Sequence, residues 1–389
     1  MAQRSWVGGR HRRRVAWSHL LPSAWSFVRG HRRLLPLAVA VLVSLALLAL
    51  PRPQQVPAGP LTLTSAWPEA SIVDSPARLS DGAIFTPLYH LDAATTVGTA
   101  PTEDRKAVRL VQRGGEGAAR ELRRLPEPAT PQFGGFTSSG NDLIWAEATV
   151  AANGRGETVI WKMDWRSGAA PVALTSDTGD VVFFNSQYDI VVADGVVHWV
   201  AAARTADPVT EVRSVPLAGG KVSVQRVTGT FALSVWPWLV SAGTGQNAPV
   251  QLRDIGSGRT LTVPSQPSEL VTCAAAWCRV LVLAGDAGPA RLDLMRPDGT
   301  DRRRVAGGQV SASVTDVAIL DRFEVLSQAG RDGSPTSSQV LMLYDLAKRR
   351  TVTVDTGVGM VLCRGGVLWW STGDNEALAW HAVDLRTLT

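Results

Sequence analysis

YDIVVADGVVHWVAAA, residues 188–203, reads as an apolar strand, a tight Asp-Gly turn and a second apolar strand that carries a tryptophan. β-branched residues on both sides favour extended backbone, and Asp-Gly accepts the positive φ of a two-residue hairpin turn. Working outward, the same pattern recurs at 71–91, 133–149, 231–243, 269–285, 315–330 and 359–373. A second hairpin follows each of the first six, as in KAVRLVQRGGEGAARELRRL (106–125) and EVRSVPLAGGKVSVQRVT (211–228). No stretch after residue 60 sustains the 3.6-residue apolar period of a helix.

The second strands begin near Ala83, Leu143, Val196, Leu239, Val280, Phe323 and Val367, so successive gaps are 60, 53, 43, 41, 43 and 44 residues. A four-stranded unit recurring at this period is the signature of a β-propeller blade. The expected fold is all-β, a seven-bladed β-propeller over 61–389, with six or eight blades as alternatives because the first unit is the most degenerate. The seventh unit runs out at Thr389, so Leu61 to Thr64 is expected to supply or extend its outer strand. The rival reading completes that blade with Arg386 to Thr389 and gives 61–67 to the stalk.

One unit carries a family resemblance. Leu292-Asp293-Leu294-Met295-Arg296-Pro297-Asp298-Gly299-Thr300-Asp301-Arg302-Arg303-Arg304-Val305 resembles the repeat of TolB-like, WD40-like propellers, in which an outer hairpin turns through Asp-Gly. The resemblance covers one blade and implies the propeller fold. It does not extend to the partners of TolB.

Ahead of the repeats, Leu34 to Leu50 is LLPLAVAVLVSLALLAL, seventeen residues without a charge. That matches a short transmembrane helix. The preceding tail, 1–33, holds eight arginines and no Lys, Asp or Glu, so +8 of charge sits there and the remaining 34–389 carries −3 of the chain's +5. Arginine is retained on the cytoplasmic side, which predicts a single-pass signal anchor with the C-terminal domain extracytoplasmic. The long tail and the absence of a small-x-small pair near Pro51 argue against a cleaved signal. The basic tail therefore reads as a topology signal, and no nucleic-acid partner is expected. PRPQQVPAGP, 51–60, has four prolines and reads as an extended stalk.

Chemistry is sparse. Cys273 and Cys278 flank a turn and are expected to form a disulfide, since an extracytoplasmic compartment permits oxidation. Cys363 is expected to be a buried free thiol. His90, His198 and His381 could in principle meet at the ring's axis, but each reads better as a structural polar residue. No His-x-x-x-His, Cys-x-x-Cys, Gly-x-Ser-x-Gly or calcium-loop pattern is present, so no catalytic residue, metal or cofactor is assigned. Trp145, Trp199, Trp277, Trp369 and Trp370 read as fillers between blades. Trp236 and Trp238 flank Pro237 at a turn and are the candidate partner-binding surface.

The longer connections Ala151–Glu157, Arg204–Thr210, Gln246–Pro249 and Arg331–Ser338 are expected on one face of the ring, the last of them the likeliest internal segment to move. The expected function is a non-enzymatic protein-binding or scaffold module at the outer membrane face. The alternatives are a ligand receptor or enzyme with its site in the central channel, its ligand unknown, or a sensor acting through the tail.

Overall fold

The computed structural model describes residues 60–114, 119–151, 153–242, 249–283, 285, 290–330, 339–374 and 377–389. The basic tail, the apolar span, all but Pro60 of the stalk, and the segments Gly243–Asn247 and Arg331–Ser338 lie outside the described residues. No helix among the described residues is long and apolar enough to cross a membrane. Pro60–Thr389 forms one compact unit.

In that unit, antiparallel sheets follow one another in chain order. The first holds β2 (Thr86–His90), β3 (Thr96–Pro101), β4 (Ala107–Arg113) and β5 (Ala119–Pro126). The second holds β6 (Gln132–Ser139), β7 (Asp142–Val150), β8 (Gly156–Asp164) and β9 (Val172–Thr175). In the third, β10 (Asp180–Val181) and β11 (Ile190–Ala193) share one edge of β12 (Val196–Ala202), followed by β13 (Val209–Pro216) and β14 (Ser223–Thr228). The fourth holds β15 (Phe231–Leu233), β16 (Trp238–Ser241), β17 (Gln251–Asp254) and β18 (Thr260–Thr262). The fifth holds β19 (Glu269–Cys273), β20 (Cys278–Val282), β21 (Arg291–Met295) and β22 (Arg303–Gly307).

The last sheet has seven strands. It runs from β23 (Val310–Ala312) through β24 (Phe323–Ala329), β25 (Gln339–Asp345), β26 (Arg350–Arg364) and β27 (Val367–Thr372) to β28 (Ala379–Asp384) and β1 (Ile72–Pro76). The fifteen-residue β26 pairs with β25 through its first part and with β27 through its second, so two four-stranded layers share one strand.

The strands β7 and β27 carry apolar side chains on both faces because both faces are covered. In β7, Leu143 and Trp145 pack toward the first sheet, with Tyr89 and Phe136, while Ile144 and Ala146 pack toward the third, with Ile190 and Trp199. In β27, Leu368 and Trp370 join Val325 and Leu341, while Val367 and Trp369 join Ala77 and Trp380. That last cluster meets the first sheet: Trp380 Nε1 donates to Phe85 O at 3.2 Å, and the His90 ring lies 4.9 Å from Trp369. Chain-consecutive sheets therefore pack side by side, and the last packs on the first. Four-stranded sheets in a closed ring are a β-propeller.

Two expectations are corrected. The segment 71–91 keeps only a short hairpin about Asp81-Gly82, in which Leu79 N donates to Ala83 O and Phe85 N to Ala77 O, while its flanks go elsewhere, for Ile72–Pro76 pairs with β28 and Thr86–His90 opens the first sheet. The partner of β2 is Thr96–Pro101, which contains Gly98 and Pro101 and so lacks the composition of a strong strand. Gly98 is required there, because a Cβ would stand 2.2 Å from Thr86 O. With β3 in place, second strands begin at 96, 142, 196, 238, 278, 323 and 367, and the outlying 60-residue gap disappears.

The closing strand is likewise not Leu61 to Thr64. Thr62 and Ser65 form a capping box that starts a short helix, α1 (Leu63–Ala66), and Leu63 and Trp67 bury themselves against Val352 and Phe323. Arg386 to Thr389 forms no strand either, since Leu385–Thr387 is a single 3-10 turn capped by Asp384. Ile72–Pro76, from the N-terminal side, is the outer strand beside the C-terminal β28.

Candidate functional site

The sequence FFNSQYD, 183–189, interrupts the inner strand of the third sheet. Asp180 and Val181 sit opposite Ala202 and Ala201, Val182 N donates to Val200 O, and pairing resumes with Ile190 opposite Trp199. Seven residues thus leave a ladder that has no gap for them. The polar members fold the excursion onto itself. The Asp189 carboxylate accepts from Phe184 N at 2.8 Å and Ser186 N at 3.1 Å, and Ser186 Oγ accepts from Tyr188 N at 3.1 Å. The aromatic members hold it to the walls, Phe183 against the second-to-third border and Phe184 and Tyr188 against the third-to-fourth.

Its tip reaches the far side of the ring. Ser186 Oγ donates to Asp316 Oδ1 at 2.5 Å, Gln187 N donates to Asp316 Oδ2 at 2.9 Å, and Arg364 Nη2 donates to Asn185 Oδ1 at 2.5 Å. Asp316 lies between β23 and β24, and Arg364 ends β26, so neither belongs to a sheet bordering the third. A contact between such sheets has to pass through the middle. The central channel is plugged by the chain itself.

Asp316 sits on a second excursion. The inner strand there ends at Ser313, and residues 314–322 leave the ladder before β24. Arg279 of β20 gathers it in, donating to Val314 O at 3.1 Å, Thr315 O at 3.2 Å and Asp316 O at 2.7 Å, while pairing with the buried Glu324. Glu324 Oε2 in turn accepts from Ala318 N at 2.9 Å. Left-handed backbone at non-glycine residues concentrates on the two excursions, with φ of 59° at Asn185, 49° at Ala318, 56° at Leu320 and 55° at Asp321. Such conformations cost free energy and are kept only where the surroundings enforce them.

The electrostatics of the plug are unbalanced. Asp189 is 4% exposed and Asp316 8%, and neither carboxylate forms an ion pair among the described residues. Burial pushes the Asp189 carboxyl up to about 6 in spite of its two backbone donors, and burial raises Asp316 as well. The Arg364 charge opposes both shifts without cancelling them. Burial, with Asp316 nearby, also raises Tyr188 and the Cys363 thiol. Beside the plug remains a cavity of about 280 Å³, walled by the excursion, by the inner strands of the fourth and fifth sheets and by Asp316.

Most of the residues singled out in the sequence lie elsewhere. Cys273 and Cys278 face each other in register on β19 and β20, Cα atoms 4.0 Å apart, and are bonded as expected. Cys363 is a buried free thiol. Trp145, Trp199, Trp277, Trp369 and Trp370 are buried between sheets. Trp236 and Trp238 are half-buried, separated by Pro237 after a cis bond, and Trp236 stacks on His198 with 3.5 Å between ring centroids. The histidines do not converge on the axis: His90 bonds Thr96, His198 bonds Ser214, and His381 bonds Asp74 and Thr372. Among the described residues no group of three or more His, Cys, Asp or Glu could hold a metal ion. What sequence reading missed was the plug. Its signal was an Asn-Ser-Gln turn between aromatic residues immediately before a strand.

The sheets thus define a β-propeller closed by its N-terminal strand. No family model matches the chain, and no curated protein sequence matches it. Several solved structures are similar in fold. The propeller domain of the Trilobed protease from Pyrococcus furiosus, described as having an open velcro topology, is 11% identical, covers 63% of this chain and 78% of its own, and has a TM-score of 0.40. An uncharacterised protein of Listeria monocytogenes is 9% identical, with 74% and 88% covered and a TM-score of 0.48. A puromycin-hydrolysing peptidase of Mycobacterium tuberculosis is 15% identical, with 81% of this chain but 53% of the peptidase covered, and a TM-score of 0.46. The chain therefore spans about half the length of that peptidase.

Proposed function

We propose that this chain is a membrane-tethered propeller of seven blades, held by the span 34–50 with its domain extracytoplasmic, and that it acts as a non-enzymatic protein-binding module. What supports a count of seven is that dividing the long sheet at β26 gives each of its two layers four strands. The observation that carries the functional reading is the plug. Both buried carboxylates at the ring's centre accept hydrogen bonds from the chain's own N–H and O–H groups, so they brace the scaffold instead of attacking or protonating a substrate. A braced ring leaves its loop faces as the working surface. The Cys273–Cys278 bond supports the oxidising side of the membrane. Trp236 and Trp238 remain the proposed contact residues, each with part of its surface in solvent.

The test is cross-linking in living cells, comparing the intact chain with a chain reduced to residues 61–389. A stoichiometric protein captured by both supports a propeller that binds. Capture by the intact chain alone moves binding to the tail or span, and capture by neither overturns the reading.

A further inference from the structure

We propose that the cavity beside the plug binds a small organic cation, an ammonium group carried on a compact apolar body. The walls are of two kinds. Phe184, Tyr188, Leu233, Val240 and Val271 supply two aromatic rings and an aliphatic floor, and Asp316 supplies a carboxylate. The carboxylate is 8% exposed, accepts one hydroxyl and one backbone N–H, and has no counter-ion among the described residues. Two arginines stand near it and both are engaged elsewhere: Arg279 spends its guanidinium on three backbone carbonyls and on Glu324, and Arg364 donates to Asn185.

A buried charge without a partner is costly, and a cation entering the cavity removes that cost while gaining the faces of the rings. Ser234, also on the wall and 2% exposed, has a hydroxyl without a partner among the described residues, which leaves a further polar group for the ligand. An anion would meet Asp316 and is excluded. About 280 Å³ lies at the small end of ligand cavities, with room for on the order of ten non-hydrogen atoms. The inference stands apart from the partner-binding reading, since a propeller that holds a protein on its face can take a ligand at its axis.

The experiment is calorimetric titration of the full chain in detergent with phenethylamine, its neutral counterpart 2-phenylethanol and the anion phenylacetate. The amine is expected to saturate with a Kd below about 1 mM, at least tenfold tighter than the alcohol, with no binding of the anion. Asp316→Asn should weaken the amine at least tenfold. Because that change also touches the plug, Thr272→Trp, at an exposed position on the cavity wall, provides a second variant and should abolish binding by filling the space. Equal binding of amine and alcohol, no saturation by the amine, or full binding by the Thr272→Trp protein would each overturn the proposal.

Discussion

At the border of the first and second sheets, Tyr89, Phe136 and Trp145 lie in a row with ring centroids 6.1 and 6.4 Å apart, all buried in an apolar cluster. At the centre of the ring, Ser186, Asp189, Asp316, Arg279 and Glu324 do the joining through hydrogen bonds and one buried ion pair. The borders rely on area removed from water, which is non-directional and tolerates small shifts between sheets. The centre relies on directional bonds in a site of low dielectric, where each lost partner leaves another group stranded. Apolar borders therefore supply most of the stability, and the polar centre fixes how the sheets face one another.

The largest break in that comparison is at a border. Trp145→Ala should cost about 3–5 kcal/mol in denaturant unfolding, because the cavity it leaves between two sheets cannot collapse. At the centre, Arg279→Met should cost about 3 kcal/mol, since it strands Glu324 and three carbonyls together. A loss below about 1 kcal/mol there would show that the excursion holds itself.

Acid sharpens the contrast. The folded Asp189 carboxyl stands near 6 against 3.8 for the free group, so the fold favours its protonated form. Its contribution is full below about 3.8 and is lost as pH rises through 6. Wild type should therefore gain about 2–3 kcal/mol on Asp189→Asn between pH 7 and pH 4. Buried His90 runs the other way: burial lowers it from 6.5 to about 4, so its contribution is full above 6.5 and is lost as pH falls through 4. The Asp189 effect is accordingly read as a difference between the two proteins, and a constant difference across the range would remove the charge from the plug. The smallest effect belongs to the disulfide. Replacing Cys273 and Cys278 by serine should lower stability by about 2 kcal/mol, because the bond closes only a short loop.

The borders were legible in the sequence and the centre was not. Trp145, Trp199 and Trp369 stand in apolar runs that announce strands covered on both faces, and the turns between them mark the period. β3 escaped because Gly98 and Pro101 weaken its pattern, while the close approach of Thr86 that demands the glycine is a tertiary fact. The helix at Leu63 looked like a strand because Leu and Thr alternate there, and only the cap formed by Thr62 and Ser65 reverses the choice. The plug left no periodic trace. Asn185, Ser186 and Gln187 resemble any turn, and nothing local says that their partner is Asp316, across the ring.

The placement of β1 also sets an order of events in time. Ile72 to Pro76 leaves the ribosome early, yet its ladder partner among the described residues, Ala379 to Asp384, is made some three hundred residues later. Until then the strand waits with both edges unpaired, while the intervening sheets can assemble from neighbours in the chain. This one pairing carries the highest contact order in the domain, and closure should be the slow, final step of folding. An unfinished or C-terminally truncated chain would keep the rest of its sheets and expose the first strand as a site for aggregation or for a chaperone.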